Sequence, residues 1–142
     1  MSEFKEGPRS AAEFIRQFLP NSPYVGHLGM QLIAMQPGTA TLLLPFKDEL
    51  VTIGTVVHGG AIASLIDTTA MVAAWSDAEL PAKVRGSTVS LTVTYLAPAE
   101  REDLQATARV LRRGRSLVYL DVEVHNPSGN IVAKGLVTYK LG

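Results

Sequence analysis

The chain has 142 residues, 46% of them hydrophobic and 18% charged, which suits one globular domain with a real core and excludes a disordered chain. Its 13 basic residues balance 13 acidic ones, so no global field points to nucleic acid or an anionic membrane. With no cysteine, disulfides, thiolate metal sites and a cysteine nucleophile all drop out.

No apolar run reaches the length of a membrane span, and MSEFKEGPRS lacks the apolar core of a signal peptide, so a soluble, cytoplasmic protein is expected. Met1 to Ser10 is polar and reads as a loose terminus. Ser10 is placed to cap a short helix over Ala11 to Leu19, with Glu13 completing a capping-box pattern and Pro20 stopping it. Asn21 to Gly29 reads as turn chemistry. Residues 1–25 are thus expected to form a tail and a short helix ahead of one domain over 26–142.

Met30 to Met35 and Thr39 to Phe46 read as two strands joined at Gln36-Pro37-Gly38, and Lys47 to Thr55 as a connecting loop. Val56 to Ser76 is the stretch that organises the chain: a short apolar run, a turn at His58-Gly59-Gly60, then a helix apolar on every side. Asp67 is the only charge between Gly60 and Ser76. An acid inside such a helix is costly to bury unless it is paired or has a task. The paired glycines leave the backbone N–H groups of the first turn open to a ligand.

Asp77 to Arg85 is a polar linker. In Ser87 to Leu96, Val89, Leu91, Val93 and Tyr95 alternate with Thr88, Ser90, Thr92 and Thr94, a period-two strand. Asp103 to Leu111 alternates less cleanly and turns at Arg112-Arg113-Gly114-Arg115 into Ser116 to His125, where Val118, Leu120, Val122 and Val124 face one way. Asn126-Pro127-Ser128-Gly129 is a strong turn before a last strand over Asn130 to Leu141. The implied class is α+β, with an antiparallel sheet wrapped around one long central apolar helix and a short N-terminal helix. A single sheet covering one helix has edges and an open face, so pairing into a homodimer is expected.

The hairpin, the H-G-G turn into an apolar helix with an acid nine residues after the His, and Tyr95-Leu96-Ala97-Pro98-Ala99 together resemble the hotdog-fold acyl-CoA thioesterases. The pattern is most similar to the phenylacetate-pathway (PaaI-like) type, which includes the mammalian thioesterase superfamily member 2. The resemblance runs from about Gly26 to Leu141. It implies a hotdog fold, dimers that share their active sites and commonly pair into tetramers, and hydrolysis of an aromatic or medium-chain acyl-CoA. CoA would be part of substrate and product, with no separate cofactor.

Asp67 matches the family's catalytic carboxylate, as general base on water or as direct nucleophile, and a capping or paired buried acid is the plain alternative. Gly59 matches the position whose backbone N–H polarises the thioester carbonyl, aided by the positive end of the helix dipole. His58 matches a family His at that turn, and no second His and carboxylate stand at ligand spacing for a metal. Thr88 sits where the family often carries a hydroxyl that helps the acid hold the attacking water; otherwise it is an ordinary strand Thr. Thr52 replaces an Asn that often stands six residues before the His, and a hydroxyl donates one hydrogen bond without the reach of an amide.

Arg112, Arg113, Gly114, Arg115 and Ser116 match the segment lining the CoA tail, where Arg pairs with phosphate, against the plain reading of a solvated hairpin tip. Tyr95, Ala97 and Pro98 match the strand end on the pantetheine side, and Leu50, Met71 and Trp75 are placed to shape the acyl pocket. A non-catalytic acyl-CoA-binding module and a hydroxyacyl-CoA dehydratase or hydratase are the rival readings. The helical acid disfavours the first. For the second, no suitable His pattern occurs at His27, His58 or His125.

Overall fold

A computed structural model describes residues 7–142, so the part of the expected loose terminus before Gly7 lies outside the described residues. Ser10 caps the first helix, α1 (Ala11–Phe18), by accepting from the Glu13 N–H at 3.1 Å. Glu13 turns its carboxylate back to the Arg9 N–H at 3.0 Å, one residue before the position a standard capping box uses. Pro20 does not end the helical path abruptly, because Leu19–Asn21 continues as a 3-10 turn. The stretch read as a turn is a second helix, α2 (Pro23–Leu28), with Pro at its start and Gly29 closing it at φ 82°.

Strands β1 (Gln31–Gln36) and β2 (Thr39–Leu44) form the expected hairpin, with Gly38 at φ 82° in its turn. The expected loop after it is more ordered than its composition suggests: a 3-10 turn at Asp48–Leu50 leads into a small hairpin of β3 (Val51–Ile53) and β4 (Val56–Val57). The central helix α3 (Gly59–Trp75) follows directly.

Strands β5 (Gly86–Tyr95), β6 (Leu104–Arg113), β7 (Leu117–His125) and β8 (Ile131–Leu141) complete one six-stranded sheet in the order β1-β2-β6-β7-β8-β5, antiparallel throughout. Arg112 and Arg113 belong to β6 rather than to the turn. The weak alternation of β6 has two causes. Its inner face carries the small residues Ala106 and Ala108, and a bulge lies between Val110 and Arg112.

Helix α3 lies across the sheet with Leu65, Ile66, Ala70, Val72, Ala73 and Ala74 fully enclosed, against Val118, Leu120, Val122 and Val124 of β7 among others. Gly135 of β8 lets the helix come this close: a Cβ there would lie 2.5 Å from Ile66 Cγ2. Ala11, Ile15 and Leu19 join the same core. The sausage-in-bun arrangement of the hotdog fold is therefore present in one chain.

Candidate active site

The H-G-G turn is fixed by its neighbours before any side chain is considered. Val57 donates to the Ala99 carbonyl at 2.8 Å and His58 to the Leu50 carbonyl at 2.7 Å, which delivers the chain to the start of α3. His58 is the N-cap residue, extended at φ −60° and ψ 131°, and its Nδ1 accepts from the Gly60 N–H at 2.7 Å. The next donor, Ala61 N–H, goes to the His58 carbonyl at 3.0 Å. Among the described residues the Gly59 N–H is left with no acceptor. A free donor at the positive end of a 17-residue helix is suited to an oxygen that gains charge.

Gly59 opens on a cavity of about 370 Å³ whose wall includes Thr52, Ile62, Tyr95, Ala97 and Pro98. Five of the expected site residues (Thr52, Gly59, Tyr95, Ala97 and Pro98) thus meet at one place. The Tyr95 ring packs on Gly59, where an added Cβ would sit 3.2 Å from it, and the Tyr95 hydroxyl donates to the Gly59 carbonyl at 2.6 Å. His58 lines no part of this wall; its Nδ1 is spent on the cap.

Asp67 is half-buried rather than enclosed as its helix position suggests. Thr88 Oγ1 donates to its Oδ1 at 2.5 Å. Strict alternation would leave Thr88 on the outer face with Ser90, Thr92 and Thr94. A β-bulge between Thr88 and Ser90 changes this: Thr88 pairs with Tyr139, a buried inward residue, while Ser90 pairs with Thr138. The inserted residue turns Thr88 toward the helix. Beyond this pair, Trp75 Nε1 donates to the Tyr139 hydroxyl at 3.1 Å, so Trp75 packs in the core beside the site with Leu50 also buried. Burial pushes the Tyr139 hydroxyl above its ordinary pKa of 10.0; the bond from Trp75 opposes this and the nearby charge of Asp67 adds to it.

The arginine segment lies elsewhere. Arg112, Gly114, Arg115 and Ser116 line an open depression of about 560 Å³ with Leu117 and Tyr119. Arg113 does not join them there. Its guanidinium donates to the Ala74 carbonyl at 3.0 Å and pairs with Asp77, which holds the C-terminal end of α3. Gly59 and Ala74 bracket the helix, so the two groups of expected residues sit at its opposite ends, about 22 Å apart along the axis.

Among the described residues no group of three or more His, Cys, Asp or Glu could hold a metal ion, and no helix is long and apolar enough to cross a membrane.

The profile of the thioesterase superfamily matches residues 54–133, a span holding Gly59, Asp67, Thr88 and the arginine segment. The medium/long-chain acyl-CoA thioesterase YigI of Escherichia coli is 31% identical over 140 residues, covering 88% of this chain and 89% of that protein. Human acyl-coenzyme A thioesterase 13 is 30% identical over 114 residues, covering 78% and 79%. The solved structure of zebrafish thioesterase superfamily member 2 superposes with a TM-score of 0.76 at 27% identity, over 91% of this chain and 94% of that one. The Escherichia coli PaaI protein from the phenylacetic acid degradation operon shares the fold, with a TM-score of 0.83 at 22% identity over 96% of each chain. The chain belongs to the thioesterase superfamily and is a thioester hydrolase.

Proposed function

We propose that the protein hydrolyses an aromatic or medium-chain acyl-CoA to the free acid and CoA, in sites each built from two copies of the chain. The observation that carries this reading is the spacing of Gly59 and Asp67 on α3. They stand eight positions apart, which is about 12 Å of helix. A carboxylate, a water and a polarised carbonyl in line span only two hydrogen-bond lengths, roughly 6 Å. One subunit therefore cannot bring both groups to one thioester.

A second copy can. Strand β5 is a ten-residue edge with no charge and no proline, and Val89, Leu91 and Tyr95 on it are exposed. Unprotected edges of this kind pair with another strand. Tyr95 touches Gly59 and Thr88 touches Asp67, so β5 runs antiparallel to α3. Two-fold pairing of β5 edges near Leu91 sets Gly59 of one copy against Asp67 of the other, with the axis close to Ala63. The same operation carries the C-terminal end of the partner's α3, and with it Arg112, Arg115 and Ser116, about 10 Å past Gly59. That is where a bound CoA would present its phosphates. The separation of the two clusters within one chain is thus what a shared site requires.

In this reading the Gly59 N–H polarises the thioester carbonyl, with the Thr52 hydroxyl in the same wall as a second donor. Asp67, held by Thr88, acts as general base on water or as nucleophile. As general base, Asp67 takes a proton from water as the water oxygen adds to the carbonyl carbon; the C–S bond then breaks and the proton passes to the departing CoA thiolate. As nucleophile, Asp67 would displace the CoA thiolate to form a mixed anhydride that water hydrolyses. The acyl-CoA class is supported by the names of the Escherichia coli and human relatives, which place this chain ahead of a binding-only module. Dimers are expected to pair further into tetramers, and the cytoplasm is the expected compartment.

The test is release of free thiol from a panel of acyl-CoAs by the native protein and Asp67→Asn. Turnover on at least one aromatic or medium-chain thioester is expected, lowered about 10²–10⁴-fold in the variant. Tight CoA binding with no turnover on any thioester would overturn the reading.

A further inference from the structure

Two tyrosines distant in sequence converge on the carbonyls of the glycine pair. Tyr95 of β5 donates to the Gly59 carbonyl at 2.6 Å. On the other side, Ser64 Oγ donates to the Gly60 carbonyl at 2.8 Å, and Tyr24 of α2 lies 2.9 Å from the same Ser64 oxygen. A serine hydroxyl has one proton. Since Ser64 spends it on Gly60, Tyr24 must be the donor to Ser64, and the relay runs Tyr24 to Ser64 to Gly60.

With His58 Nδ1 holding the Gly60 N–H, each polar group of the pair except one is tied by a side chain. The exception is the Gly59 N–H. The Gly59 N–H belongs to the His58–Gly59 peptide, and the tied carbonyls belong to the two peptides that follow it. Glycine has the freest backbone of any residue, so that peptide keeps its aim only if the torsions at Gly59 and Gly60 are held. Oxyanion stabilisation depends on donors already aimed before charge develops.

We propose that Tyr24, acting through Ser64, and Tyr95, acting directly, are positioning residues that aim the Gly59 N–H at the thioester oxygen. Neither is required to touch the reacting atoms. The Tyr24 arm is the cleaner one to examine, because Tyr24 and Ser64 lie outside the cavity beside Gly59, whereas Tyr95 lines it. The inference rests on the assignment of Gly59 as the carbonyl-polarising donor.

The experiment is steady-state kinetics on the best acyl-CoA substrate for the native protein, Tyr24→Phe, Ser64→Ala, the double variant and Ser64→Thr. Each single loss should lower kcat about tenfold while KM stays within about twofold, since removing a donor outright costs more than misaiming it. The double variant should be no slower than the worse single one, because both break one relay. Ser64→Thr keeps a hydroxyl that can reach the same helical carbonyl and should restore kcat. Far-UV circular dichroism and thermal unfolding confirm that the variants stay folded.

Unchanged kcat in the single variants, losses that multiply in the double variant, or a rise in KM in place of a fall in kcat would each overturn the relay while the native enzyme still turns over. Absence of turnover by the native protein on every thioester is a different result. It removes the Gly59 assignment and the relay with it.

Discussion

Thr88 reaches Asp67 because β5 carries one residue more than β8 opposite it. Their 2.5 Å hydrogen bond exists only on the inner face of the sheet, and the bulge at Val89 is what brings Thr88 to that face. Thr88→Val keeps the shape and removes the donor. Hydrogen bonds to charged groups contribute about 1.5–3 kcal/mol, so kcat should fall roughly tenfold to a hundredfold. Deleting Val89 should give a similar loss by a different route, returning Thr88 to the outer face. Rates on one acyl-CoA, with a circular dichroism check of folding, measure both.

The Gly59 N–H can be removed without disturbing the helix that carries it. Gly59 is the first helical position, where proline is favoured, and His58 before it is already extended. Gly59→Pro should therefore fold and lose about 10²–10³ in kcat, the cost of one oxyanion donor. Gly59→Ala keeps the N–H and meets the Tyr95 ring at 3.2 Å, so it should be impaired far less. Side-by-side kinetics of the two variants decide the role of this donor.

A shared site predicts rescue between two impaired proteins. Asp67→Asn and Gly59→Pro, each expected to be slowed about a hundredfold or more alone, should recover activity when co-expressed or refolded together. Random pairing leaves about one quarter of the sites with both groups intact. Recovery to near that fraction, measured by thiol release, places the two groups on different chains; no recovery places them on one.

The close crossing of helix and sheet makes Gly135→Ala a probe of core packing beneath α3. Its Cβ would lie 2.5 Å from Ile66 Cγ2, a β-branched side chain with little rotamer freedom, in a fully packed core. Overpacking of this kind costs about 1–3 kcal/mol. Urea unfolding of the variant should show that loss as a lower midpoint at unchanged slope.

Alkaline pH should find Tyr139. Its folded pKa is raised above the unfolded value of 10.0, so the stability it contributes is present below pH 10.0 and lost as pH rises toward the folded value. Unfolding midpoints should fall above pH 10.0 in the native protein. Tyr139→Phe should flatten that fall, at the cost of the Trp75 hydrogen bond below it.

Much of this architecture was legible because the signals were periodic or chemical. The alternation in β7 and the capping serine at position 10 each have one physical reading, and each stands in the structure. What was missed lacked such a signal. α2 is too short to show a helical period, although Pro23 and Gly29 mark its ends. β3 and β4 are a few residues each. The bulge is invisible to alternation because Thr88 belongs to the polar half of that pattern. The family resemblance puts Arg113 with its neighbours among the CoA-lining residues, and only the fold shows that its guanidinium is held by the Ala74 carbonyl and Asp77 at the end of α3.

The eight-residue interval between Gly59 and Asp67 also bears on how the activity is switched on. On the shared-site proposal, a freshly made chain folds and buries its core yet holds only two half-centres, neither able to break a thioester. Hydrolysis then begins with an encounter between copies, and specific activity would fall on dilution as the square law of pairing takes hold.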